Sequence, residues 1–263
     1  MPSLIDALLD ELKRFWKAPH VPRSKRGFSC DCGRPVFFLN SQCLGCQAPL
    51  GYEPLLGELR ALRSGAVPDS WQLAGDDAVE RYYRRCSNFH SAAGCNWLVP
   101  VDDASPLCMA CRLNRALPDL EDPDNRRYWR AIEAAKRRLV SQLLALELPV
   151  ECKAENSEQG LAFDILRSPA EGPKVVTGHS SGLITLNAEE ADDAKREAIR
   201  TALHEPYRTL LGHFRHEIGH YYWDRLVWNT RWLESFRELF GDERTDYSTA
   251  LKINYEQGPP PDW

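Results

Sequence analysis

His216 and His220 stand four residues apart in EPYRTLLGHFRHEIGHYYWDRLVW, residues 205–228, with Glu217 directly after the first histidine. On a helix this spacing sets two imidazoles on one face, one turn apart, where both reach a single ion. Glu217, on the next position, can address a metal-bound water. Those are the parts of a zinc hydrolase. The metal polarises a scissile carbonyl and acidifies its water, and the glutamate takes the water proton and hands it to the leaving amine. An HExxH pentapeptide also describes a plain helix with two structural histidines. Here Leu210, Leu211, Phe214, Ile218, Tyr221 and Tyr222 give the segment apolar faces, and ionisable groups in such a setting are costly without a task.

Two histidines leave a ligand missing. Asp224 continues the four-residue series, but each such step climbs about 6 Å along an unbroken helix, too far for bonds near 2 Å to one ion. A second helix over Thr230–Phe240 stops at Gly241, and a third is expected from near Asp242. Glu243 is the first choice of ligand, because an antiparallel return can bring it back to the histidines. Asp246, one turn on, could orient a ligand imidazole; Asp242 reads as an N-cap, and Glu234 and Glu238 are rivals for the ion. Trp232, Leu233, Phe236, Leu239 and Phe240 are expected to face the core. His213 reads as a hydrogen-bonded structural histidine, and His179 and His204 have no spacing argument. Tyr247 and Tyr255 could serve an oxyanion, although buried packing is the simpler reading.

The cysteines form two quartets. Cys30-Asp-Cys32-Gly and Cys43-Leu-Gly-Cys46 are close pairs on a short hairpin, each turning both sulfurs toward one ion, as a tetrahedral structural zinc requires. Gly33 and Gly45 relax the turns, and Val36–Leu39 supplies a strand between them. Cys86, Cys95, Cys108 and Cys111 complete a second set, in which His90 could replace one sulfur. Cys152 is left over in an apolar run and reads as a small core residue rather than a nucleophile. The expected content is three zinc ions, one catalytic and two structural.

The elements that must position these groups follow from the pattern. Leu4–Trp16 makes an amphipathic helix within residues 1–26, broken by charges at Asp6, Asp10, Glu11, Lys13 and Arg14, so neither an export signal nor a bilayer span. Residues 27–117 form a metal-organised zinc-ribbon region with few long periodic segments. Residues 118–263 form the catalytic domain, opened by Asp122 as N-cap, Pro123 and a stripe from Tyr128 to Leu146 in a helix reaching about Leu148. Pro149–Lys153, Leu161–Arg167, Lys174–Val176 and Leu183–Leu186 are strand-like, with a hairpin turn at Gly178–Gly182. The fold class is α+β. A chain of 263 residues with 43% hydrophobic and 27% charged content is long enough for a sizeable core. A net charge of -5 argues against bulk binding of nucleic acid, and clustered thiols without an export signal point to the cytoplasm.

The strings FSCDCG, CLGC, CNWLVP, EPYRTLLGHFRHEIGHYYWDRLV, FGDERTDY and GPPPDW together resemble the bacterial family of zinc-binding metallopeptidases that carry an N-terminal zinc ribbon. The resemblance covers nearly the whole chain. It implies a zincin-like catalytic domain in a cytoplasmic protein, with His216, Glu217 and His220 matching the motif and Glu243 as a gluzincin-type ligand. The chain departs from the family at Asn254, where a histidine is more usual before Tyr255. The expected activity is hydrolysis of a peptide or protein substrate. The strand Leu183–Leu186 pairs with the peptide, and the ribbons recognise a partner or the substrate. The alternative is a non-enzymatic zinc-ribbon adaptor or nucleic-acid-binding protein with a vestigial HExxH site.

Overall fold

The computed structural model describes residues 27–75, 81–202, 209–246, 248, 249, 252, 253 and 256. The helix expected over Leu4–Trp16, His204, Pro206, Tyr247 and Tyr255 lie outside these residues. Among them, no helix is long and apolar enough to cross a membrane.

The ribbon half opens on a minimal antiparallel hairpin, β1 (Phe28–Ser29) and β2 (Pro35–Val36). The expected strand stops there, and Phe37 and Leu39 face solvent. A five-stranded antiparallel sheet follows, in the order β3 (Leu50–Glu53), β4 (Glu58–Ser64), β5 (Trp71–Leu73), β6 (Tyr83–Arg85) and β7 (Leu98–Pro100). A bridge from Tyr52 to Trp97 brings β7 back beside β3. This region is more regular than its composition suggests. Leu59 and Ala61 on β4 alternate with the half-buried Glu58 and Arg60, the period of a strand, and Leu62 then buries on the other face against Leu73, Tyr83 and Leu98. Phe38, Tyr52 and Trp97 fill the space beneath, with Tyr52 and Trp97 ring centroids 4.9 Å apart.

α1 (Pro123–Ala145) begins as expected: the Asp122 carboxylate accepts the Asp124 N–H at 2.7 Å, and Pro123 takes the first position, where no N–H is needed. It buries Tyr128, Trp129, Ile132, Leu139, Val140 and Leu143. It ends three residues earlier than expected, and Glu147 then adopts a left-handed φ of 58°.

α1 lies against a four-stranded sheet ordered β10 (Gly178–Ser180), β11 (Leu183–Asn187), β9 (Ala162–Leu166), β8 (Asn114–Ala116). β8, β9 and β11 run parallel, and β10 is antiparallel at the edge. β8 comes from the segment assigned to the ribbon region, so this sheet begins before residue 118, and one apolar core runs through both halves. Two strand-like runs come out differently. Pro149–Lys153 contributes one bridge, Cys152 to Leu161, and Lys174–Val176 is irregular, with Val176 exposed.

The remaining helices are α2 (Asp193–Ala202), α3 (Leu210–Leu226) and α4 (Leu233–Phe240). Thr209 caps α3 by accepting the Gly212 N–H at 2.9 Å. α4 starts at Leu233 rather than Thr230 and closes at Gly241, whose φ of 88° suits glycine. Its apolar side does not enter the core: Leu239 and Phe240 are exposed and Phe236 is half-buried. The third helix does not start at Asp242. That carboxylate accepts the Arg244 N–H in a turn, and helical residues reappear at Ser248.

Candidate metal centre

Each cysteine quartet converges in the manner expected. All four ligand atoms of Cys30, Cys32, Cys43 and Cys46 lie within 4.8 Å of one another, as do those of Cys86, Cys95, Cys108 and Cys111. The closest sulfur pairs, Cys30–Cys46 at 3.6 Å, Cys32–Cys43 at 3.7 Å and Cys95–Cys108 at 3.6 Å, are far beyond a disulfide bond. They match the edge of about 3.8 Å that a tetrahedron with 2.3 Å zinc–sulfur bonds requires. Backbone N–H groups of Cys46 and Gly45 lower the Cys43 thiol to about 6. Hydrogen bonds from Cys108 and Cys111 pull the Cys86 thiol well below its ordinary value. Cys43 in the first quartet and Cys86 in the second are thereby held toward the thiolate, the ligand form, while burial and neighbouring thiols push Cys30 and Cys108 up. The first site is half open, with Cys32 and Cys46 exposed, whereas the second is wholly buried.

His90 is not part of the second set; it sits on the surface, its ring 4.7 Å edge-on from Phe89. Cys152 is buried and points its sulfur at the Arg112 carbonyl, 3.2 Å away, as a small core residue does.

The HExxH residues are placed by the opposite face of α3. Phe214, Ile218, Tyr221 and Tyr222 are buried, and Phe214 meets Phe163 of β9 edge-on at 5.6 Å. Two hydroxyls fix the helix about its axis: Tyr221 donates to the Gln159 carbonyl and Tyr222 to that of Pro149, both at 2.6 Å. His216 and His220 consequently face outward, and their Nε2 atoms approach to 3.2 Å. Two zinc–nitrogen bonds of 2.0–2.1 Å at the tetrahedral angle need about 3.3 Å between nitrogens, so the pair fits two corners of a zinc shell. Glu217 turns away from solvent, 6% exposed, and its carboxylate makes no hydrogen bond among the described residues.

His216 and His220 line a cavity of about 450 Å³ together with Gly219, Trp223, Phe236 and Glu243. Glu243 thus reaches the same space as the two histidines. Its oxygens are engaged by Arg237, and Glu243 does not form one compact ligand group with both imidazoles, unlike the thiol quartets. The hydrogen bonds from the Arg237 guanidinium hold the Glu243 carboxyl below its ordinary value. The other acids considered lie elsewhere. Asp246 is exposed and bonds to the Ser248 hydroxyl, Glu238 is exposed and off the cavity wall, and Glu234 pairs with Arg237 on the surface. Asp224 is also exposed. His213 is structural, as expected: its Nδ1 pairs with Glu190, which also accepts the Thr177 hydroxyl at 2.6 Å.

One neighbour of the site has no signal in the sequence. His179, on β10, lies parallel to the His220 ring, with centroids 6.4 Å apart and planes 6° from coplanar. Its Nε2 accepts the Gly182 N–H at 2.9 Å, which leaves the proton on Nδ1, 3.9 Å from Asp224. Burial is the main cause that lowers its pKa. Only the hairpin pairing of β10 with β11 carries it there.

A family model described as "Putative zinc-binding metallo-peptidase" matches residues 125–263, and one described as "zinc-ribbon domain" matches residues 27–122. Uncharacterized proteins of Mycobacterium tuberculosis (strain ATCC 25618 / H37Rv) and Mycobacterium bovis (strain ATCC BAA-935 / AF2122/97) are each 43% identical over 240 residues. The alignments cover 90% of this chain and 65% of each relative, so the chain spans a little under two thirds of their length. No solved structure matches.

Proposed function

The chain belongs to the "Putative zinc-binding metallo-peptidase" family, and from that premise we propose that it hydrolyses peptide bonds, with Glu217 as general base beside a zinc held by His216, His220 and Glu243. The observation that carries this reading is the 3.2 Å approach of the two Nε2 atoms on the wall of a cavity. A zinc ion there supplies positive charge that polarises a peptide carbonyl and acidifies water.

The remaining work belongs to the side chains. Glu217 is buried and its carboxylate makes no hydrogen bond among the described residues; in this reading its lone pairs take a proton from water and return it to the departing amine. Arg237 keeps Glu243 ionised at the rim of the cavity, and ionised is the form in which a carboxylate binds metal. The strand that receives substrate is not the expected one. Leu183–Leu186 lies in β11, which is bonded to β10 on one side and β9 on the other and has no edge to offer. β10 is the edge strand, it packs against α3, and a peptide added there runs past the two histidines. The thiols form no disulfide among the described residues, which suits the reducing cytoplasm.

The test is cleavage of a mixed peptide library by zinc-loaded protein, followed by mass spectrometry, beside Glu217→Gln. Products from the wild type alone support the peptidase. If the zinc-loaded wild type yields none, the ribbon adaptor takes its place.

A further inference from the structure

A second concavity, about 860 Å³, lies in the ribbon half, between the 64–71 connection, β6 and the turn Ser87–Phe89. Arg85 lines it. Its guanidinium carbon sits 4.1 Å from the centroid of Phe89 and 5.3 Å from that of Trp71, so two rings hold it in place. Nη1 donates to the Leu50 carbonyl at 2.8 Å, and no acidic side chain pairs with it among the described residues.

Its neighbours are satisfied differently. Arg60 binds Glu58 and the Ala74 carbonyl, Arg112 binds Asp103, and Arg84 donates to the Val101, Asp103 and Ser105 carbonyls. A half-buried guanidinium with two rings against it and no counter-ion among the described residues is costly, and the cost is recovered when an anion arrives. The planar fork of Arg matches a carboxylate with two parallel hydrogen bonds.

We propose that this cavity binds a peptide by one carboxylate, received on the free edge of Arg85, with an adjacent apolar side chain against Trp71 and Phe89. The volume is within the range of about 300–1,000 Å³ that encloses a small ligand or a few residues. A polyanion fits less well: it needs several unspent cations, whereas the lining that holds Arg85 also carries Asp69 and the chain has a net charge of -5. The site is in the ribbon half and does not depend on the peptidase reading.

The test uses the full chain with Glu217→Gln, which leaves the probe uncut if the protein is a peptidase. Fluorescent hexapeptides ending in Leu or Phe are titrated by anisotropy as free acids, as amides, and as amides with an internal Glu. Binding of the free acids or the Glu peptides at least tenfold tighter than the neutral amides supports the proposal, and the preferred arm identifies a terminal or a side-chain carboxylate. Arg85→Gln should abolish that difference. Ala66→Trp, which fills the exposed wall of the cavity and leaves Arg85 in place, should abolish binding with melting temperature and zinc content unchanged; it decides the matter if Arg85→Gln fails to fold. Equal binding of acid and amide, no binding, wild-type affinity in Ala66→Trp, or preferential capture of a single-stranded oligonucleotide would each overturn it.

Discussion

Arg237 engages both carboxylate oxygens of Glu243, with Nε 2.9 Å from Oε2 and Nη2 2.6 Å from Oε1. The two residues flank Gly241, whose left-handed turn folds the chain back so that the acid of one segment meets the base of the preceding helix. The clasp presents Glu243 on the cavity wall that carries both histidines. A carboxylate fixed by a neighbouring guanidinium is oriented before an ion arrives, as outer hydrogen-bond partners orient metal ligands elsewhere.

If Glu243 closes the zinc shell, Glu243→Ala should lose the third zinc while keeping the two held by cysteines. Arg237→Ala should retain that ion but weaken it by roughly 10- to 100-fold, the usual cost of losing a supporting residue. Glu238→Ala and Asp246→Ala should bind as the wild type does, because both are exposed and Asp246 accepts the Ser248 and Thr249 hydroxyls of its own turn. Elemental analysis and chelator competition read all four. Retention of three zinc ions by Glu243→Ala would move the ligand elsewhere.

Glu217→Gln should keep zinc and melting temperature and lose hydrolysis by on the order of 100-fold to 10,000-fold, since the amide preserves shape and cannot accept a proton. Single-turnover kinetics on any library peptide that the wild type cleaves measures it. Undiminished turnover would remove Glu217 from the mechanism.

How far the residues alone reached is clear from these two positions. HExxH needs only helical geometry, so His216, Glu217 and His220 were legible from spacing, and the eight thiols were legible from their pairing. The α4 face was not. Trp232, Leu233, Phe236, Leu239 and Phe240 have helical periodicity, but periodicity marks an apolar face without saying what it meets; here Phe236 lines the cavity and Phe240 faces solvent. His179 was silent for a different reason. Its place beside His220 is set by strand pairing across the Ser181–Gly182 turn, and long-range register leaves no local mark. The same holds for the free edge, since sequence patterns identify a strand but not its neighbours.

The two thiol sites should differ in what their loss does. Cys43 belongs to the half-open site that also holds Cys30 and Cys32 of the β1–β2 hairpin, and Cys43→Ser should release one zinc and unfold β1–β2 alone. Cys111 lies 3.8 Å from Glu133 of α1, which is wholly buried with Lys136 in an ion pair of 2.6 Å that Asn114 completes. Cys111→Ser should therefore lower the melting of the C-terminal half as well. Within that network, Glu133→Ala strands a buried lysine and should cost about 3–5 kcal/mol, while Glu133→Leu with Lys136→Met should recover most of it. Guanidinium titrations with tryptophan fluorescence distinguish these, and independent melting of the two halves in Cys111→Ser would refute the coupling.

Substrate choice should be set by the aromatic wall that continues from the histidines. Trp223 and Phe236 both line the cavity and meet edge-on at 6.2 Å, so one side of it is aromatic, and Phe240 backs Phe236 from the solvent side at 4.9 Å. Gly219 forms part of the lining between the two histidines' turns, and a Cβ added there would meet nothing within 4 Å. Gly219→Ala should accordingly stabilise α3 by about 1 kcal/mol through helix propensity and leave metal binding intact. Gly219→Leu projects a branched chain into the cavity. It should cut kcat/KM for peptides with Leu or Phe beside the scissile bond at least tenfold relative to those with Ala, since one or two methylenes of misfit in an apolar pocket carry discrimination of about 10- to 200-fold. Phe236→Ala enlarges the same space and should shift the ratio the other way. Paired peptide assays on zinc-loaded protein read the effect, and an unchanged Leu-to-Ala ratio in Gly219→Leu would show that the side chain beside the scissile bond is read by another surface.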